Sequence, residues 1–173
     1  MDQLTQTERV AFARLRALLE LLPSEMDRQM ATTGLTSFEF TLIEALAEAE
    51  LGRLRLSALA SKTNATLPRL SRVVTALEQK GLVMRAPCDE DGRAINAVLT
   101  EAGRAAYAAS RGRYESAVRR MVMDGLGDES VESLAAVTFA ILNKLDPERR
   151  MAVTAGDADL FCAADPKPAT SAA

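Results

Sequence analysis

Residues 66–85 read TLPRLSRVVTALEQKGLVMR, and residues 89–93 read DEDGR. At about 100° per residue, Leu67, Leu70, Val73, Val74 and Leu77 gather on one side of a helix. Pro68, Arg72, Thr75 and Gln79 lie opposite, with Arg69 and Ser71 on the shoulders. An apolar stripe of this kind predicts a helix packed against its neighbours. Thr66 stands at the cap position, Pro68 in the first turn where a missing amide costs nothing, and Gly81 at the end. The outer face is unusual for an acidic chain: arginines and hydroxyls, with no carboxylate until Glu78 at the margin.

Working upstream, Asn64-Ala65 reads as a tight turn, in which Asn tolerates the left-handed conformation. Before it, LSALASKT predicts a helix of two turns capped by Ser57, and the alternation Leu54-Arg55-Leu56 one brief strand. Downstream, residues 82–85 and 94–99 read as two strands around the polar turn Cys88–Arg93, where Gly92 permits the reversal. Two short helices joined by a tight turn and followed by a hairpin describe a winged helix-turn-helix.

The flanks are helical. Val10, Ala11, Leu15, Leu18, Leu19, Leu22 and Met26 recur at helical spacing from Thr5 to Met30, with Pro23 as a candidate kink and Gly34 closing the region. Thr36-Ser37-Phe38-Glu39 is a capping box opening a helix through Ala49, with Phe40, Ile43, Leu46 and Ala47 inward. Thr100 opens a long helix to Met123, and a second runs from Asp128 to Leu145. From Ala152 to Ala173 the composition turns to Ala, Asp, Pro, Ser and Thr, which predicts a mobile tail. The expected fold class is mainly α with a small β-hairpin.

Composition narrows the function. The chain has 173 residues, 48% hydrophobic but only 4% aromatic and without Trp, so the core is built from aliphatic side chains. No apolar run approaches the ~18 residues of a membrane span, and MDQLTQTERV lacks the basic-then-apolar order of a secretory signal. These readings point to a soluble cytoplasmic protein with no membrane partner. Histidine is absent, which removes the commonest metal ligand and general base. Cys88 and Cys162 lack metal-ligand spacing, and no phosphate loop or nucleophile elbow occurs. Neither an enzyme nor a metal or cofactor site is expected.

Net charge is −3, but unevenly spread. Residues 53–93 carry eight basic and four acidic side chains, a local +4 between acidic flanks. A basic island of this kind is the footprint of an anion-binding surface, against the alternative of a chance fluctuation on a solvated face. Arg can bond a guanine edge or a phosphate, Ser and Thr either, and the Thr methyl can meet a thymine methyl. Carboxylates facing a phosphate chain would be repelled, which gives their absence a reason. In the hairpin tip, Asp91 can direct an arginine and Arg93 can reach a narrow minor groove. Taken alone the tip reads as a solubilising turn; directly after an arginine-bearing helix it favours a duplex.

The run from Leu54 to Arg104, LRLSALASKTNATLPRLSRVVTALEQKGLVMRAPCDEDGRAINAVLTEAGR, resembles the MarR family of bacterial transcription regulators. The resemblance is carried by Leu35-Thr36 with Glu39-Phe40, Leu59-Ala60, Leu77-Glu78, residues 80–83, Asp91-Gly92-Arg93 and residues 99–103, and extends over about residues 5–146. Asn64 departs from it, standing where the family often has Gly. It implies a homodimer built from helices in 1–34 and 101–146, a DNA-binding domain over 35–100, and a flexible tail over 151–173. It implies a double-stranded DNA partner with a near-palindromic site, half-sites ~34–36 Å apart, read by Thr66, Pro68, Arg69, Ser71, Arg72 and Thr75 with Asp91 and Arg93 in the wing. The outcome would be transcriptional control, expected to be repression.

Family members also respond to small aromatic acids or to cysteine oxidation. The implied pocket residues are Leu15, Leu19, Met26, Phe38, Phe40, Tyr107 and Arg111, with Arg104 and Arg111 as carboxylate holders; core or interface roles are the other reading. Cys88 adjoins Asp89, Glu90 and Asp91, which disfavour a thiolate, and no cysteine lies near the first helix. Two further readings stand beside the leading one: a winged-helix protein-interaction module without DNA binding, and a cysteine-based redox regulator. The first predicts an acidic or apolar outer face on residues 66–80.

Overall fold

The computed structural model describes residues 3–88 and 94–155. The first helix, α1 (Gln6–Met30), begins in a full capping box: the Thr5 hydroxyl accepts from the Glu8 amide, and Glu8 accepts from the Thr5 amide at 2.7 Å. Pro23 is accommodated within it. Only Met26 and Met30, at its C-terminal end, are buried. There Asp27 Oδ1 accepts from the backbone amide and hydroxyl of Ser37, at 2.7 and 2.6 Å. This ties α1 to the start of α2 (Ser37–Glu48). The expected capping box at Thr36 and Glu39 forms, and α2 buries Phe40, Leu42, Ile43, Ala45 and Leu46.

A turn through Leu51 and Gly52, both at positive φ, leads into β1 (Arg53–Arg55). Gly52 has two reasons to be glycine: its φ of 67°, and the Arg104 guanidinium, which would lie 2.5 Å from an added Cβ. The chain passes without a loop into α3 (Leu56–Lys62), so Ser57 sits inside the helix and is not its cap, contrary to expectation. Asn64 takes the left-handed conformation (φ 52°) and turns the chain into α4 (Leu67–Gln79). Thr66 occupies the cap position with extended backbone, but its hydroxyl makes no capping bond.

Strands β2 (Val83–Pro87) and β3 (Ile95–Leu99) form the expected hairpin, and β1 pairs with the far side of β3, giving the antiparallel order β1-β3-β2. Leu35, Leu42, Ile43, Leu46, Leu59, Leu70, Val74, Leu77, Val83, Ala97 and Leu99 join in one apolar core. Leu67 does not join it: it is 53% exposed, at the first helical residue, one turn short of the core contact that begins at Leu70.

Helix α5 (Glu101–Val118) leaves the lobe, capped by the Thr100 hydroxyl on the Gly103 amide, and continues as a π-turn over Arg119–Met123. It receives the end of α1: Arg113 Nε donates to the Gln29 carbonyl at 2.6 Å, and Arg120 donates to the Gln29 side chain at 2.9 Å. Helix α6 (Asp128–Leu145) has no buried residue, although Leu134, Val137, Phe139, Ile141, Leu142 and Leu145 are all large and apolar.

The expected mobile tail does not begin where the composition shifts. Helix α7 (Ala152–Ala155) folds back, with Thr154 fully buried and its hydroxyl donating to Asp146 Oδ2 at 2.5 Å. Ser61 of α3 donates to the Arg150 carbonyl at 2.6 Å, fastening this turn to the lobe. Among the described residues no helix is long and apolar enough to cross a membrane, and no group of His, Cys, Asp and Glu is placed to hold a metal.

Candidate nucleic-acid interface

Helix α4 sinks Leu70, Val74 and Leu77 into the core and turns its other face out. Thr66, Pro68, Arg69, Ser71, Arg72 and Thr75 are all exposed on that face, as the wheel required. Their surroundings differ. Arg69 lies over the Phe38 ring of α2, 4.1 Å from its centroid, a cation–π contact that anchors the side chain to the lobe. Arg72 makes one long bond, Nε to the Pro68 carbonyl at 3.4 Å, so among the described residues its terminal amines have no protein acceptor. Thr75 donates its hydroxyl to the Ser71 carbonyl at 3.0 Å. Asp91 and Arg93 lie outside the described residues.

Among the described residues one acid faces this array, Glu78, and it is neutralised locally. Arg85 of β2 forms an ion pair with its carboxylate, and the Arg85 backbone amide donates to Glu78 Oε1 at 3.0 Å. The same guanidinium donates to the Ser71 carbonyl at 3.0 Å and to the Thr75 hydroxyl at 3.1 Å, with a longer approach of 3.4 Å to the Ser71 hydroxyl. The wing strand is thereby bolted to the outward face of α4. A second bolt holds the helix's far end: Lys80 Nζ donates to both oxygens of buried Glu39, at 2.7 and 2.8 Å, and to the Gly34 carbonyl at 2.9 Å.

Neither Arg85 nor Lys80 was among the site residues that the sequence singles out. The signal was present: Glu78 is the lone acid of the helix, and Arg85 follows it seven residues on, across the Gly81 turn. At Gly81, φ is 72°, which folds β2 back along α4.

The residues expected to line a ligand pocket are only partly brought together. Phe40 stacks on Tyr114 (4.3 Å between centroids) and meets Tyr107 at 5.7 Å, and Met26 is buried. Phe38 belongs elsewhere, under Arg69. Leu19 is 68% exposed on α1, and Leu15 is half-buried.

Arg111 is exposed and bonded to Glu115 at 2.7 Å, a contact that raises its already high pKa. Arg104 lies against Gly52. The cleft that does exist between α2 and α5 measures about 460 Å³ and is lined by Thr41, Glu44, Tyr114, Glu115, Val118, Arg119 and Met123. Burial pushes the Glu44 carboxyl above its usual range, reinforced by Glu48 and Glu115 and opposed by Arg111 and Lys62. Tyr107 is likewise raised, by burial first and then by Glu44. Cys88 is buried at the end of β2, a poor position for meeting an oxidant.

Helix-turn-helix, bolted wing strand and long flanking helices together have counterparts among known proteins. The model of the MarR family matches residues 35–95. The crystal structure of AbsC, a MarR family transcriptional regulator from Streptomyces coelicolor, is 31% identical over 85% of this chain and 99% of that one, with a TM-score of 0.80. The chain belongs to the MarR family.

Its relatives are transcriptional regulators, and this MarR-family chain is a DNA-binding regulator and not an enzyme. Sco3205, a second MarR family regulator from Streptomyces coelicolor, is 30% identical over 89% of this chain and 96% of its own, with a TM-score of 0.82, and its structure is in complex with DNA. CouR from Rhodococcus jostii RHA1, solved bound to p-coumaroyl-CoA, shares the MarR fold at 19% identity, covering 80% of this chain and 95% of its own with a TM-score of 0.67. No functionally curated protein matches the chain.

Proposed function

We propose that this MarR-family protein is a cytoplasmic homodimeric repressor that reads a near-palindromic duplex, with α4 in the major groove and the turn bearing Asp91 and Arg93 in the minor groove. The observation that carries this reading is the outward face of α4. Six polar or small side chains stand exposed there, and the one nearby carboxylate among the described residues is paired with Arg85. A protein-interaction module predicts an acidic or apolar surface at this place, whereas the exposed residues, Leu67 and Pro68 apart, are basic, hydroxyl-bearing or, at Gln79, an amide.

Dimerisation is supported by α6, whose large apolar side chains are exposed within the single chain. A surface of that kind is characteristic of an obligate interface. The exposed Phe12, Leu18, Leu19 and Leu21 of α1 offer a matching apolar surface. The relative solved with DNA supports the duplex as the partner.

The effector reading turns on the cleft between α2 and α5. A small aromatic acid entering it would set its carboxylate near Glu44 and Glu115, with Arg119 the sole cation among the lining residues. Tyr114 in the lining suits an aromatic ring, and the acids favour a neutral or cationic one.

Selection of bound fragments from random duplex DNA tests the function. A single symmetric motif is expected. If the dimer neutralises ~6–10 phosphates, affinity falls ~10³–10⁵-fold between 50 and 200 mM salt. Arg72→Ala costs ~1–3 kcal/mol and relaxes base choice at one position per half-site, whereas Arg93→Ala weakens binding with less change in preference. Failure to enrich any motif would overturn the reading. A panel of phenolic acids and aromatic amines added to the selected complex tests the effector.

A further inference from the structure

The Thr75 hydroxyl is engaged twice inside the protein. It donates to the Ser71 carbonyl at 3.0 Å and accepts from Arg85 at 3.1 Å. A hydroxyl has a single hydrogen to give, so once that hydrogen is committed to Ser71 the group cannot donate to a base. Its remaining lone pair lies beside a guanidinium that is itself paired with Glu78. Thr75 is nevertheless exposed, in the middle of the outward face of α4. What it has left to offer is the methyl group.

Ser71, one turn earlier, is placed differently. Its hydroxyl meets Arg85 only at 3.4 Å, as acceptor, and its own hydrogen is not committed to any acceptor among the described residues. Two neighbouring hydroxyl residues are thus given opposite characters by one arginine on the wing strand.

We infer that Arg85 is a positioning residue that fixes the chemical polarity of the reading face, so that Thr75 recognises a thymine by methyl-to-methyl contact and Ser71 recognises a hydrogen-bond acceptor. In the major groove the C5-methyl group marks thymine among the four bases, and an apolar contact reads it without a hydrogen bond. Any rotation of Thr75 to present its oxygen breaks both internal bonds, so the arginine also excludes the competing readout. The inference rests on the proposed duplex-binding function and adds to it the base class and the atom that reads it.

The test uses the full-length protein and the duplex obtained by selection, with each thymidine replaced in turn by deoxyuridine, which removes only the methyl. For the wild type, one thymine per half-site is expected at which the replacement weakens binding about fourfold, the loss equivalent to one buried methyl group. Thr75→Val keeps a methyl and loses the hydroxyl, so it retains that sensitivity. Thr75→Ser keeps the hydroxyl and loses the methyl, so it binds thymine and uracil duplexes alike. Arg85→Met removes the donor that the Thr75 and Ser71 hydroxyl oxygens share, so Thr75 loses one of its two restraints and base choice broadens at the same position.

Position-resolved preference separates positioning from mere stability, because a loosened lobe weakens all positions together. Thermal unfolding of each variant, with Thr75 exposed and Arg85 half-buried, reports whether the fold is intact. A wild type that selects no motif sinks the duplex reading itself. A wild type that selects a motif insensitive to every uracil replacement, or a Thr75→Ser variant as sensitive as the wild type, overturns this inference alone.

Discussion

The contact between Lys80 and Glu39 holds the far end of the reading helix to the start of α2, and its two halves differ in a way that substitution should expose. The Glu39 side chain is 8% exposed and the Lys80 side chain 39%. Removing the lysine strands a carboxylate in the interior, where its remaining donor is the Thr36 amide at 2.8 Å. Removing the glutamate leaves an ammonium that can turn to water.

Breaking a buried pair from the side that strands the charge costs ~3–5 kcal/mol, and the surviving Thr36 bond places Lys80→Ala at the low end, about 3 kcal/mol. Glu39→Ala loses charge-assisted bonds of ~1.5 kcal/mol and half of a capping box worth ~1 kcal/mol, so about 2.5 kcal/mol. In a double-mutant cycle the double variant should cost about 2 kcal/mol less than the sum, because one interaction is counted twice.

Urea midpoints at one fixed protein concentration give all four corners. Additivity within ~0.5 kcal/mol would show that the pair does not couple α2 to α4, and a Lys80→Ala variant milder than Glu39→Ala would refute the asymmetry.

Three other outcomes follow from the same packing. Gly103→Ala would drive a Cβ to 2.2 Å from the Leu82 carbonyl and 2.6 Å from Leu99 Cδ1; the cost should reach or exceed the ~3 kcal/mol upper end of overpacking, read as a drop in unfolding midpoint. Val137→Asp puts a charge on the apolar face of α6, and sedimentation should report monomers for the variant and, if the proposed homodimer holds, dimers for the parent protein.

Asp146 is held below its ordinary carboxyl range by the Thr154 hydroxyl and the Met151 amide, more than desolvation opposes it. Its folded value lies below its unfolded one, so its contribution to docking α7 is complete at neutral pH and disappears as pH falls through the folded value, below 3.8. The Met151 amide resonance should report that transition, and Asp146→Asn should abolish it. A midpoint at or above 3.8 would contradict the assignment.

The helix-turn-helix and hairpin were legible because each rests on a local rule: the capping box at Thr36, Asn64 in the left-handed turn, Pro68 in a first turn, Gly81 past a last one. Leu67 and Ser57 were misread for reasons equally local, one standing a turn ahead of the core and the other inside a helix that starts without a loop. The six α4 residues were found exposed because a wheel reports direction.

It does not report partners, so Arg69 on Phe38 and Thr75 held by Arg85 could not be read from one helix alone. Both contacts join different elements, Arg69 reaching back to α2 and Thr75 across to β2, and the Ser61 bond to Arg150 does the same for the turn that carries α7. Alanine-rich composition after residue 150 resembled a tail because only Asp146, Met151 and Thr154 together make a docking turn, and no periodicity marks them.

The anchoring of α1 through Gln29 has an effect on how the chain must be made. Its donors Arg113 and Arg120 lie 84 and 91 positions later, so this anchor of α1 cannot close until both have been synthesised. At ~5–20 residues per second that delay is on the order of 10 s, during which the Asp27 contact with Ser37 is the tie already available to α1. The lobe from Leu35 to Leu99, contiguous in sequence, can close meanwhile. The winged lobe is therefore complete before α6, whose exposed apolar face would pair it with a second copy, has been synthesised.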